Sequence, residues 1–252
     1  MKEKIDLNSD AQSLRKKFGL DAYSPLDILS IVASNNELTL IFYPFHDNVS
    51  GVCIKTQDVQ IIAVNSQMTD GRQRFTIAHE LYHLYFQEEV GKFFCGMEMN
   101  VSKDPIEREA DIFASYFIAP YNALREYITV KLGKQKGDVK IEDVVHIEQT
   151  FKMSRQAILC RLLDEGYLNQ KQADEMKTRV KISAIQLGYD TPLYESSKEA
   201  KMRFTLGRYV LLARKLHMSQ KISEGKFNEL MMQAFRSDLV YMDDTLEENY
   251  YD

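Results

Sequence analysis

The chain has 252 residues, of which 44% are hydrophobic and 27% are charged, a composition typical of a globular protein and not of a disordered one. Its 32 Lys and Arg residues are outnumbered by 37 Asp and Glu residues, which argues against electrostatic binding of nucleic acid over the whole surface. The three cysteines form no CxxC pair, so neither a disulfide framework nor a thiolate zinc site is indicated. The absence of a signal-peptide core and of any membrane-length apolar run predicts a cytoplasmic protein with no membrane association.

The first third of the chain is predicted to combine two helices with a small antiparallel sheet. Helical spacing over residues 10–19 and 24–34 is followed by three short runs rich in β-branched and aromatic residues, at 38–43, 51–55 and 59–64. The run 59–64 is apolar on both faces and is expected to be the buried strand. The run 51–55 is either an edge strand or part of a core hairpin, and the sequence leaves both alternatives open.

Helical patterns dominate the rest of the sequence. An amphipathic helix is predicted over 70–86, followed by a loop around 91–96. Asp104 then precedes Pro105 in the pattern of a helix N-terminus, and that helix is expected to stop at Pro120. Further helical stretches precede an acidic tail that begins at Asp243, and they lie at about 121–132, 140–151, 154–166, 169–186, 197–218 and 223–236.

The residues that carry chemistry lie in the predicted helix 70–86, which contains an HExxH sequence formed by His79, Glu80 and His83. Residues four apart on a helix lie on the same face, so the two histidines can bind one metal ion. Glu80 can reach a water on that ion without being a ligand itself. The pattern therefore predicts a catalytic metal site in which Glu80 is the general base.

Such a site needs a third protein ligand, because two would leave the ion weakly held. Glu107 and Asp111 are the candidates, since acids at i and i+4 of the next helix share a face. One of them could bind the metal while the other accepts a hydrogen bond from a ligating histidine. The alternative for Glu107 is to complete a capping box with Asp104.

Two stretches together resemble the ImmA/IrrE family of zinc metallopeptidases. They are residues 74–84, which contain the HExxH, and residues 107–120, which match that family's E-x-x-A-[ND]-x-F-A run ending in a proline. The resemblance covers roughly residues 10–170. It implies that His79, His83 and Glu107 bind the metal, that Glu80 is the general base, and that Asp111 supports a ligand.

The resemblance also implies the architecture: an α+β, zincin-like catalytic domain of the gluzincin type, with a small antiparallel sheet and the HExxH helix, followed by helical modules. We divide the chain into a metallopeptidase domain, a helix-turn-helix-like module and a C-terminal helical extension with the acidic tail, spanning residues 1–125, 126–180 and 181–252.

By the same resemblance the function is zinc-dependent hydrolysis of a peptide bond in a protein partner, specifically a helix-turn-helix repressor or an antitoxin. One Zn²⁺ per chain is expected, and Mn²⁺ is conceivable because affinity order does not decide which metal a cell supplies. The alternative is a non-catalytic regulator with a structural metal that binds a repressor or toxin, or binds DNA through residues 141–166. Direct DNA binding is disfavoured, because acidic residues are interspersed in both of those helices.

Four further residues are candidates for contact with the substrate. Val52 and Ile54 would lie in an edge strand to which an extended peptide could add. Tyr82, between the two histidines, could narrow the cleft or pack in the core. His146 could stabilise the transition state, although a lone histidine on a helix is more often structural.

Overall fold

The computed structural model describes residues 2–46, 49–87, 91–96 and 104–241, with the backbone alone described for 91–96 and no side chain for Ala200. The predicted acidic tail, residues 243–252, lies outside the described residues. The strands are β1 Leu38–Tyr43, β2 Val49–Lys55, β3 Gln60–Asn65, β4 Gly91–Gly96 and β5 Phe204–Gly207. The α-helices are α1 Lys4–Lys17, α2 Ile28–Ser34, α3 Asp70–Phe86, α4 Pro105–Ile118, α5 Tyr121–Glu126, α6 Ile141–Phe151, α7 Arg155–Asp164, α8 Gln170–Met176, α9 Val180–Gln186, α10 Arg208–Met218 and α11 Glu224–Gln233.

The five strands form one mixed sheet in the order β4-β2-β3-β1-β5, so the prediction of a purely antiparallel sheet was wrong. β2 and β3 are joined by a short turn and must therefore run antiparallel. β1 lies on the other side of β3 and runs parallel to it. A short connection predicts an antiparallel pair only when the two strands that it joins are neighbours in the sheet. β1 and β2 are consecutive in the chain but are separated by β3 in the sheet.

The edges of the sheet also differ from the prediction. Strand β2, residues 49–55, is not an edge strand, because it pairs with β3 on one side and with β4 on the other. The predicted loop around 91–96 is this strand β4. Part of the predicted helix 197–218 is strand β5, which pairs with β1 at the opposite end of the sheet. A four-residue strand gives a pattern too short to separate from that of the helix following it.

Alternation along the strands gives the sheet two distinct faces, because directly paired residues point the same way. Leu40, Ile62 and Cys53 are paired in register and are fully buried on the inner face. Helix α3 packs against this side of β2 and β3. The outer face carries Thr39 and Ile41 of β1, Ile61 and Ala63 of β3, and Val52 and Ile54 of β2.

Several helices begin or end at other residues than predicted. α1 starts at Lys4, six residues early, and α2 starts at Ile28 and not near Ser24. Asp27, directly before α2, has an extended backbone conformation, and the Ser24 carbonyl accepts a hydrogen bond from Arg15 instead of starting a helix. The predicted helix 169–186 is two helices, because Arg179 adopts a left-handed conformation with φ of 57° between α8 and α9.

The C-terminal segment returns to the sheet at Gly207. Its φ is 82°, a region that residues with a side chain rarely adopt, and a Cβ atom there would collide with the carbonyl oxygen of Leu38. This close approach lets β5 pair with β1 and lets α10 start at once against the same strand. The domain boundaries at residues 125 and 180 stay predictions.

The helices 141–151 and 155–164 form the predicted helix-turn-helix outline, with Ser154 capping the second helix. Both arginines of α7 are buried. Arg155 forms an ion pair with Glu148, and Arg161 forms one with Glu165. In the part of the chain that the structure describes, no helix combines the length and the apolar composition needed to cross a membrane.

A buried arginine joins α1 to the end of α4. Arg15 is 1% exposed, and its guanidinium donates to the carbonyl oxygens of Asp21, Ser24 and Phe117 at 2.8, 2.5 and 2.7 Å. Carbonyl groups at the end of a helix need such donors when they are buried. Arg15 therefore ties the N-terminal segment to the helix that carries Glu107.

We predict that Arg15→Met lowers the free energy of unfolding by about 2–4 kcal/mol, because three carbonyl groups lose their donor while the volume is nearly kept. Urea unfolding followed by circular dichroism measures this change. Lys16→Met, at the exposed neighbouring position, is the matched control and should change stability by less than about 0.5 kcal/mol. Equal stability of the two variants would contradict the role of Arg15.

Candidate metal centre

Helices α3 and α4 pack side by side and bring the two predicted motifs together. His79 and His83, one turn apart on α3, are 7% and 0% exposed. Glu107, in the first turn of α4, is half-buried and faces them. Asp104 caps α4 through a hydrogen bond from the Ile106 backbone N–H. The cap therefore leaves the Glu107 carboxylate to the histidines.

The three side chains point their donor atoms at a common centre. The two Nε2 atoms lie 3.1 Å apart, and Glu107 places one carboxylate oxygen 3.2 Å from His79 Nε2 and the other 3.4 Å from His83 Nε2. Ligands about 2.0–2.1 Å from a tetrahedral zinc ion lie about 3.3 Å from one another by simple geometry. The nearest atoms of the three residues are therefore spaced closely enough for all three residues to bind one ion.

The other nitrogen of each imidazole is held by a separate partner. His79 Nδ1 lies 2.9 Å from Asp111 Oδ1, and His83 Nδ1 lies 2.9 Å from Gln87 Oε1. Both partners offer an oxygen acceptor, so each Nδ1 is assigned as the protonated nitrogen. This tautomer leaves the Nε2 lone pairs directed at the centre, as metal-ligating histidines require.

The electrostatics of the centre favour a cation. Burial lowers the pKa of His79, but hydrogen bonds to Asp111 and Glu107, together with nearby negative charge, outweigh burial and raise the pKa to about 10. Burial and the adjacent charge of His79 lower the pKa of His83 to about 4. Burial would raise the pKa of Glu107, but its hydrogen bond to His79 lowers it. The protonated His79 therefore carries one positive charge among several carboxylates. A bound metal ion would replace the proton on His79 Nε2.

Glu80 is fully buried between α3 and β2. A Cβ atom placed on Gly51 would lie 2.7 Å from Glu80 Oε1 and 2.5 Å from Thr76 Cγ2. Burial raises the pKa of the Cys53 thiol, and the charge of Glu80 raises it further, which places the carboxylate near Cys53 as well. The inner face of β2 therefore forms the wall against which Glu80 lies.

Sequence reasoning missed two residues of this centre. Gln87 lies immediately after α3 and contacts His83 Nδ1. It is four residues after His83, and this helical spacing could have indicated the contact from the sequence. Gly51 leaves space for Glu80, and a glycine inside a strand often marks such a close approach.

The other predicted site residues lie elsewhere. Gly51 and Cys53 of β2 face α3. Because side chains alternate along a strand, Val52 and Ile54 lie on the opposite, outer face of the sheet. Because β4 already pairs with β2, the structure agrees with the core-strand alternative and not with peptide addition along an exposed edge. The sequence shows that side chains alternate between the two faces of β2, but it does not show which face packs against α3.

Tyr82 and His146 have structural partners. Tyr82 is 2% exposed, donates to Glu109 at 2.6 Å and packs against Phe86 and Phe113, so it belongs to the core and does not narrow a cleft. His146 Nδ1 lies 2.7 Å from the Tyr189 hydroxyl. The donor cluster consists of His79, His83 and Glu107 and does not include His146.

Comparison with known protein families decides the relationship. The model of the peptidase M78 family, described as the IrrE N-terminal-like domain, matches residues 38–163, which are half of the chain. The chain belongs to this peptidase family. The match begins at β1 and ends in α7, so it includes α3, α4 and all three residues of the donor cluster. No curated protein matched the sequence.

We predict that Asp111→Asn weakens zinc binding by roughly 10-fold, because the charge that supports His79 is lost while the shape is kept. Competition with a chelating dye gives the dissociation constant. Glu109→Gln is the matched control, since Glu109 is a buried carboxylate on the same helix that bonds to Tyr82. A zinc affinity equal to that of the control variant would show that Asp111 does not support the ligand.

Proposed function

We propose that this member of the peptidase M78 family is a zinc-dependent endopeptidase with a zincin-like centre. The observation that carries the proposal is the convergence of His79, His83 and Glu107, whose nearest nitrogen and oxygen atoms lie 3.1–3.4 Å apart, close to the spacing of ligands around one tetrahedral ion. Three protein ligands leave one position for water or substrate, which is typical of catalytic zinc and not of closed structural zinc.

A bound zinc ion would supply Lewis acidity, lowering the pKa of a water molecule toward ~7 and polarising the scissile carbonyl. The residues of the chain hold the reacting groups around that chemistry. Once a metal ion has replaced the proton on His79, both His79 and His83 would present neutral Nε2 atoms, and Asp111 and Gln87 keep both rings oriented. Glu107 contributes the one negative charge among the ligands.

Glu80 is the general base in this proposal. It follows His79 in α3 and lies against Gly51, its negative charge acts on His79, and it is not a member of the donor cluster. A carboxylate in this position can accept the proton of the attacking water and transfer it to the leaving amine. Burial keeps bulk water away from that proton transfer.

The substrate we propose is a helix-turn-helix repressor or an antitoxin, an expectation that rests on the family resemblance. Two imidazoles and one carboxylate suit zinc, and Mn²⁺ remains the second candidate ion. DNA binding by residues 141–166 is disfavoured, because Arg155 and Arg161 are buried in ion pairs and are not presented to phosphates.

The general base is tested by Glu80→Gln, which keeps the shape of the side chain but cannot accept a proton. We expect at least about 100-fold slower hydrolysis with unchanged zinc content. The zinc-loaded full chain is incubated with a peptide library and with co-expressed helix-turn-helix repressors, and cleavage is detected by mass spectrometry. Glu37→Gln, at an exposed position, is the control.

Equal cleavage by Glu80→Gln and wild type would contradict the role of Glu80. If zinc-loaded wild type cleaves none of these substrates, the result favours the alternative, a regulator that binds its partner and uses the metal as a structural element.

A further inference from the structure

The outer face of the sheet, opposite α3, carries an apolar groove. Ile41 and Ile61 form its floor, Leu212 of α10 forms one wall, and Phe235, just after α11, forms the other. The groove has a volume of about 310 Å³. Tyr43 and Phe235 pack together at its end, with ring centroids 6.0 Å apart, so the C-terminal helices are anchored to the sheet beside it.

Helix α10 exposes more apolar surface next to the groove than a solvated helix requires. Leu211 and Leu212 are each 45% exposed, Leu216 is 39% exposed and Met218 is 76% exposed. Ala213 is the one residue of this helix that is buried. Several exposed apolar side chains on one short helix beside an apolar groove indicate a place where another segment binds.

The same region is strongly cationic. Residues 198–221 contain seven Lys and Arg residues and a single acid, in a chain whose net charge is -5. Among the described residues none of these seven forms an ion pair; they are Lys198, Lys201, Arg203, Arg208, Arg214, Lys215 and Lys221. On α10, Arg214 and Lys215 lie exposed beside the exposed leucines. The chemistry of this face therefore suits a segment that is both acidic and apolar.

We propose that residues 242–252 of the same chain bind to this cationic α10 face and the adjoining groove. The segment contains five acids and no Lys or Arg, together with Met242, Leu246, Tyr250 and Tyr251. Its charge is thus opposite to that of the face, and its apolar residues match the exposed leucines. Binding would therefore be stabilised both by electrostatic attraction and by burial of apolar surface.

The chain connection makes this pairing favourable. Arg236, directly after the groove wall, donates to the Thr205 carbonyl at 3.2 Å and pairs with Asp238, which fixes the start of the last segment at β5. α10, with 11 residues, is about 16 Å long, whereas 11 extended residues span up to about 36–40 Å. The acidic segment can therefore reach the whole face, and its covalent attachment gives it a high effective concentration there.

A charge-reversal cycle in the full chain tests the proposal. One variant carries Arg214→Glu and Lys215→Glu, a second carries Asp243→Lys and Asp244→Lys, and a third combines all four. Hydrogen–deuterium exchange of residues 208–218 is the measurement. Each double substitution alone should speed exchange by roughly five-fold, which is the effect of a few exposed charge pairs acting together. The variant with all four substitutions should restore much of the protection.

The matched control is Lys16→Glu with Lys171→Glu, which reverses two exposed cations outside this face and should leave exchange of residues 208–218 unchanged. Exchange that is insensitive to Asp243→Lys with Asp244→Lys, or a combined variant that shows no recovery, would overturn the proposal. Protection that increases with protein concentration would also overturn it, since the face would then bind a second copy of the chain.

Discussion

The packing of α3 against α4 is the contact on which the metal centre depends. Neither helix alone carries the three candidate ligands: α3 supplies His79 and His83, and α4 supplies Glu107. The contact is apolar over much of its length, with Tyr82 and Phe113 in ring contact beside the polar cluster. Hydrophobic burial thus provides the free energy that brings together two buried imidazoles and one half-buried carboxylate, whose desolvation is unfavourable.

The sheet adds the second constraint, because it fixes where Glu80, the proposed general base, can lie. β2 approaches α3 so closely at Gly51 that only a glycine leaves space for the Glu80 carboxylate. β2 is held in this position by β3 on one side and β4 on the other. The inner face of β2 therefore contacts Glu80, whereas Val52 and Ile54 lie on its outer face, away from the metal centre.

How far the sequence predicts this structure depends on the range of the interactions. The histidines and Glu80 follow from helical spacing within one element, and Glu107 follows from the need for a third ligand and from the family resemblance. The parallel pairing of β1 with β3 and the return of β5 depend on contacts distant in sequence. Local patterns carry no information on such pairings, which is also why the orientation of β2 was missed.

The central claim is that three residues of two helices bind one zinc ion, and elemental analysis of the purified chain tests it most directly. The account predicts about one zinc per chain in the wild type, and loss of zinc in both His79→Ala and Glu107→Ala. His217→Ala, at a histidine that stacks on Phe227 of α11, should retain the metal. A wild type that binds no transition metal after zinc is added, or a Glu107→Ala variant that retains it fully, would contradict the account.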